Sequence, residues 1–143
     1  MYCIQQETVH HCFPACLVSF FSDLHIPLSQ KEIVERCPKE FNKGKYEEGS
    51  INSYFLLKDQ IVSNEFDIKC KVLPPDNINL NKNETLFLFV KWKNNPSDNH
   101  CIRFCHKTIS YIYFMNPTYG KIERCDIKTL CSWVTIPILI TKN

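Results

Sequence analysis

The sequence predicts an α+β domain, with helices first and a mainly antiparallel sheet after them. Three observations carry this. Apolar residues recur at helical spacing up to about residue 62, and from Phe66 onward the apolar segments are short and rich in β-branched and aromatic residues. No repeat or low-complexity linker divides the chain. Helices and strands in separate blocks are the pattern of α+β domains. The 143 residues have the length of one domain, 1–143, that can bury roughly two-thirds of its unfolded surface without a disulfide or metal staple.

The first helix runs from about Cys12 to Leu24, with Leu17, Phe20, Phe21 and Leu24 on one face. Pro14 falls inside its first turn, where a missing N–H costs little. Ser29 and Glu32 have the spacing of a capping box and start a second, short helix with Ile33, Val34 and Cys37 apolar. Pro38 ends it. Gly49-Ser50 precedes a third helix over Ile51 to Val62, with Tyr54, Phe55, Leu57 and Ile61 inward. Six strands follow: Phe66 to Leu73, Thr85 to Trp92, His100 to Cys105, Ile109 to Met115, Lys121 to Cys125 and Trp133 to Ile140. The asparagine-rich stretch from Asp76 to Glu84 reads as a surface loop.

Composition narrows the function classes. The net charge is only +2, and Lys39, Lys43 and Lys45 alternate with Glu40, Glu47 and Glu48, which leaves no nucleic-acid footprint. Nine cysteines are many, but the number is odd and the spacings do not repeat as a small disulfide framework would. The expectation is a soluble protein of a reducing compartment, cytoplasmic or delivered into a target cytoplasm. No secretory signal is visible, and the apolar stretch Ala15 to Phe21 falls far short of the roughly 20 residues of a membrane span.

The residues with chemical potential are Gln6, Cys12, His100 and Asn116. Cys12 sits at a predicted helix N-terminus, where free N–H groups and the helix dipole favour a thiolate. Such cysteines can have a pKa anywhere from roughly 3.5 to 7.5. Taken singly, each reads better as structural: Cys12 as a small buried apolar residue, His100 as a loop histidine and Asn116 as a turn residue before Pro117. Their joint placement says more. A hairpin with Lys107, Thr108 and Ile109 as its loop pairs His106 with Ser110 and brings His100 opposite Asn116, an imidazole beside an amide that can orient it. Gln6 then supplies a side-chain N–H to an oxyanion hole, with the Cys12 backbone N–H as the second donor.

These motifs resemble the bacteriocin-processing (double-glycine leader) cysteine peptidases, papain-like domains that occur fused to peptide-exporting ABC transporters and as free-standing relatives. The likeness rests on Gln6, Cys12, Ala15, Cys16 and Leu17, on a short helix matching Ile26 to Cys37 and a third matching Ser50 to Val62. It continues with His100-Cys101-Ile102-Arg103 and with Asn116-Pro117-Thr118-Tyr119-Gly120. It implies a papain-like cysteine hydrolase fold, N-terminal helices packed on a C-terminal antiparallel sheet. It also implies a thiol-dependent hydrolase acting on a peptide or protein substrate without cofactor or metal, with Cys12 as nucleophile, His100 as general base and acid, Asn116 as orienter and Gln6 as oxyanion donor. Free-standing relatives include secreted bacterial effectors and toxins. Two positions depart from the family pattern: Asn116 stands where Asp is usual, and Phe13 where glycine is usual. The Phe13 ring either narrows the substrate groove or points into the core.

Rival readings remain open at this level. Peptide hydrolysis, deamidation and acyl transfer all begin with the same attack on a carbonyl. A degenerate domain of the same fold binds a peptide without cutting it. Cys12 and Cys16, Cys101 and Cys105, with His10, His11, His100 and His106 nearby, could hold zinc, although Cys101 should face away from His100 by strand alternation.

Overall fold

The computed structural model describes residues 1–41, 51–74 and 78–143. Five α-helices and six strands are present among them: α1 (Cys12–Asp23), α2 (Gln30–Arg36), α3 (Pro38–Phe41), α4 (Ile61–Phe66), β1 (Ile68–Val72), β2 (Glu84–Lys91), β3 (Asn99–Lys107), β4 (Tyr111–Asn116), β5 (Lys121–Asp126), α5 (Ile127–Trp133) and β6 (Val134–Lys142). The strands form one antiparallel sheet in the order β1-β6-β2-β3-β4-β5.

The helical half follows local chemistry. Ser29 caps α2 by accepting a hydrogen bond from Glu32 N–H at 3.1 Å. Pro38 ends α2 and opens α3, since proline fits a first helical turn but not an interior. The third helix departs from expectation. Residues Phe55–Asp59 wind as a π-turn, Gln60 is left-handed with φ 58°, and α4 starts afresh at Ile61. This break rotates the buried face, so that Leu56, Val62 and Phe66 enter the core while Tyr54 and Ile61 are exposed. Gly49 and Ser50, its expected start, lie outside the described residues, as do Pro75, Asp76 and Asn77 of the asparagine-rich stretch.

Both faces of the sheet are covered. On one side Phe87, Phe89, Cys101, Met115, Ile138 and Ile140 pack beneath α1 and α2. On the other, Leu86, Leu88, Val90, Ile102, Phe104, Ile112 and Phe114 pack against Leu130 of α5, with Trp92 and Trp133 at the margin. Burial on both faces is why β2 reads as a near-continuous apolar run instead of an alternating one. The α5 cover was not foreseen from the sequence. Asp126 caps it by accepting from Thr129 N–H at 3.1 Å.

A buried cation locks α1 to the sheet. The Arg103 guanidinium, 5% exposed, meets Asp23 at 2.7 Å and donates to Ser19 Oγ and Thr85 Oγ1. Asp23 in turn accepts from Tyr2 N–H at 2.7 Å, which ties the N-terminal segment to the end of α1. A buried charge left unpaired would be strongly destabilising, so these partners act together.

Candidate active site

The N-terminal segment, the start of α1, the start of β3 and the β4–β5 turn converge. Cys12 is the first residue of α1, whose N-cap residue, His11, gives no side-chain cap. Pro14, third in the helix, has no N–H, so the first turn offers its free donors at Cys12 and Phe13. The backbone of Cys101, like that of Phe13 and of Cys12 itself, lies near enough to the Cys12 sulfur to favour its anion. Cys101 directly follows His100, so the sulfur rests against the strand that carries the imidazole.

These donors do not produce the depressed pKa expected from the sequence. Burial pushes the Cys12 thiol up to about 12, with the neighbouring Cys16 adding to the effect and the three backbone groups only partly offsetting it. At neutral pH the Cys12 thiol is held protonated. Burial likewise moves the His100 pKa down, opposed by its bond to Asn116 and by the charges of Asp98 and Glu123. Cysteine and histidine are therefore both neutral at rest, and no hydrogen bond joins them.

His100 and Asn116 meet, by a different register from the one predicted. The hairpin turn spans Thr108 to Tyr111, whose backbone groups bond at 2.9 Å, and pairing starts with Lys107 opposite Ile112 and His106 opposite Tyr113. A bulge at Cys105 then shifts the register, giving Phe104 opposite Phe114 and Arg103 opposite Met115. His100 Nε2 lies 2.9 Å from Asn116 Oδ1 and 3.3 Å from Thr118 Oγ1. Trp92 presents its edge to the imidazole, with ring centroids 5.5 Å apart, and packs in turn on Phe114 and Trp133. His100 Nδ1 carries no hydrogen bond.

Asn116 is 1% exposed, and both ends of its amide are bonded. Its Oδ1 accepts from Thr118 N–H at 3.1 Å, and its Nδ2 donates to Glu123 Oε2 at 2.6 Å. Gln6 is held against the same turn, donating its backbone N–H to Pro117 O at 2.7 Å. One side-chain N–H of Gln6 goes to Thr8 O at 2.9 Å, and its Oε1 is buried without a partner. The second N–H of that amide has no partner. Gln30, 4% exposed, grips the backbone on either side of Gln6: its Nε2 donates to Gln5 O at 2.8 Å and its Oε1 accepts from Glu7 N–H at 2.9 Å.

Gly120 completes the turn for a physical reason. Its φ is +63°, and a Cβ there would stand 2.7 Å from Gln5 N, so any side chain would push the Gln6 segment away. Phe13 is wholly buried, packed on Phe41, Phe87 and Phe89, and it does not line a groove. Cys101 faces α1, opposite to His100. No group of three or more His, Cys, Asp or Glu placed to hold a metal is present among the described residues. No helix among them is long and apolar enough to cross a membrane.

Thr118, Trp92, Glu123 and Gln30 were not singled out from the sequence. Reading Asn116 to Lys121 as a hairpin turn would have found Glu123, because the pairing of Asn116 with Lys121 puts Glu123 two residues along on the same face. Gln30 carries no local signal.

No family model matches the sequence, and no curated protein matches it. Among solved structures, it is similar to the peptidase domain of Streptococcus ComA, a bifunctional ABC transporter involved in a quorum-sensing pathway. The TM-score is 0.72 at 12% identity, over 99% of this chain and 98% of that one. At that identity the likeness is one of fold: this chain has the architecture of a papain-like peptidase domain.

Proposed function

We propose that this chain, with its papain-like peptidase fold, is a thiol-dependent hydrolase that attacks a peptide or amide carbonyl with Cys12. The carrying observation is the His100–Asn116 contact of 2.9 Å on the strand whose next residue, Cys101, has its backbone against the Cys12 thiol. In this reading His100 Nδ1 takes the thiol proton as sulfur attacks the carbonyl carbon. The oxyanion that forms accepts from the Cys12 backbone N–H and the free side-chain N–H of Gln6. The imidazolium gives its proton to the departing amine, and water, deprotonated by His100 Nδ1, releases the acyl group. Because thiol and imidazole are both neutral at rest, proton transfer accompanies attack on bound substrate instead of preceding it.

The substrate is a peptide or protein segment. Water, ammonia release from a side-chain amide, or an acceptor amine would make the same acyl-enzyme serve hydrolysis, deamidation or acyl transfer. Nine cysteines suit action in a reducing cytoplasm, its own or that of a target cell reached by a secreted effector or toxin. Incubating the protein with a peptide library that includes double-glycine sequences, and weighing the products, tests the reading. Cleaved, deamidated or transferred products that vanish in Cys12→Ala support it, and products that persist in Cys12→Ala refute it.

A second reading, a peptide-binding module that does not cut, is favoured by the protonated thiol and the absence of a Cys12–His100 hydrogen bond. It predicts peptide retention without any product in the same assay.

A further inference from the structure

Glu123 lies on the edge strand β5, half-buried, opposite Phe114 and diagonal to Asn116. It makes no ion pair among the described residues. The nearby cations are held elsewhere, Arg124 over the Tyr111 ring at 4.4 Å and Lys121 over the Tyr119 ring at 5.4 Å. Its side-chain hydrogen bond is to Asn116 Nδ2, at 2.6 Å.

That bond decides which way a symmetric-looking amide points. A carboxylate only accepts, and a backbone N–H only donates. With Glu123 on Nδ2 and Thr118 N–H on Oδ1, the amide oxygen is turned toward His100 from two sides. The nitrogen facing it, Nε2, must then carry the proton, which leaves the lone pair on Nδ1. A reversed amide would offer an N–H to Nε2 and move the ring proton to Nδ1, where a general base needs none. An aspartate at 116 would need no such help, but an asparagine does.

We propose that Glu123 is a positioning residue that, through Asn116, fixes the His100 ring as its Nε2–H tautomer and supplies the negative charge that asparagine lacks. For its catalytic meaning this rests on the hydrolase reading; for its structural meaning it does not. The charges facing His100 are Asp98, from the loop before β3, and Glu123, with Cys12 protonated on α1.

The test is nitrogen NMR of ¹⁵N-histidine-labelled protein, with the His100 signals assigned by their loss in His100→Ala. Wild type should hold the Nε2–H tautomer. Glu123→Ala should lower the tautomer ratio by roughly tenfold, the fold-change expected when one charge-assisted hydrogen bond is lost. It should reduce kcat with KM little changed. Glu123→Gln keeps an acceptor for Nδ2 but not the charge, so the tautomer should persist while His100 titrates at lower pH. An unaltered tautomer in Glu123→Ala, or an unaltered titration in Glu123→Gln, overturns the proposal, and the second variant decides alone if the first does not fold. These signals need no turnover. Loss of the hydrolase reading would thus appear as missing products in wild type, separately from the tautomer result.

Discussion

Asn116 Oδ1 stands 2.9 Å from His100 Nε2, although continuing the β3–β4 register from Arg103 and Met115 sets His100 opposite Thr118. The two side chains share a face because the turn displaces the pairing by three residues from the predicted hairpin and the Cys105 bulge takes one back. A net displacement of two preserves strand alternation; three would have put imidazole and amide on opposite faces of the sheet.

The loss of Asn116 should cost less than the loss of either reacting group. Asn116→Ala removes the acceptor for Nε2 but leaves the proposed base and nucleophile, so a drop in kcat of about 10²-fold is expected, at the low end of what a positioned base contributes. Cys12→Ala and His100→Ala should abolish turnover. Equal, complete losses in all three, with folding intact by circular dichroism, would assign Asn116 another role.

Phe13 governs stability, not substrate choice. Its ring packs on three other phenylalanines, so Phe13→Ala should destabilise the fold by about 3–5 kcal/mol in denaturant unfolding. Peptide preference should be unchanged in whatever fraction stays folded. A changed preference with unchanged stability would contradict the buried position.

Gly120→Ala should disturb the site from a distance. The left-handed backbone alone costs a β-carbon about 1–2 kcal/mol, and the contact with Gln5 N adds to it. Displacement of the Gln6 arm should lower kcat, and a fully active, equally stable variant would show that the arm is not needed.

Gln30→Leu leaves Gln5 O and Glu7 N–H without their buried partner, at a cost of about 1–3 kcal/mol for each orphaned group. If Gln6 donates to the oxyanion, kcat should fall while KM holds. A rise in KM alone would instead make Gln30 part of substrate binding.

The pH profile should have an acid limb below the ordinary histidine value. As the proposed base, His100 works only when neutral, and burial lowers its pKa from 6.5, so activity should be retained as pH falls past 6.5 and be lost only through that lower pKa. Because Asp98 and Glu123 hold the pKa up, neutralising either should move the limb further down. An acid limb above 6.5 would contradict this environment for His100.

Much of the fold was legible because each strand carries its own β-branched and aromatic run and each turn its own breakers. Periodicity could not reveal the π-turn at Phe55–Asp59 or the left-handed Gln60, whose effect is to rotate a helical face that the apolar residues alone do not fix. Helix α5 is too short, at seven residues, to build a periodic signal. At the site, the meeting of His100 and Asn116 was legible from a hairpin between them, though not in the register that forms it. The thiol's raised pKa was not legible, because a helix N-terminus predicts the donors but not how deeply the packing of α1 on β3 buries the sulfur. Gln30 acts through a contact 25 residues away in sequence, which no local pattern encodes, whereas Glu123, seven residues from Asn116, needed only the turn between β4 and β5 to be read.

The central claim, that Cys12 is a nucleophile activated by His100, is tested most directly by peptide mapping after treatment with a library of peptide vinyl sulfones. The account predicts one adduct per chain, on Cys12 and not on the more exposed Cys3 or Cys131, dependent on the peptide sequence and lost in His100→Ala. Labelling spread over the exposed thiols, with Cys12 unmodified or modified equally in His100→Ala, would contradict it.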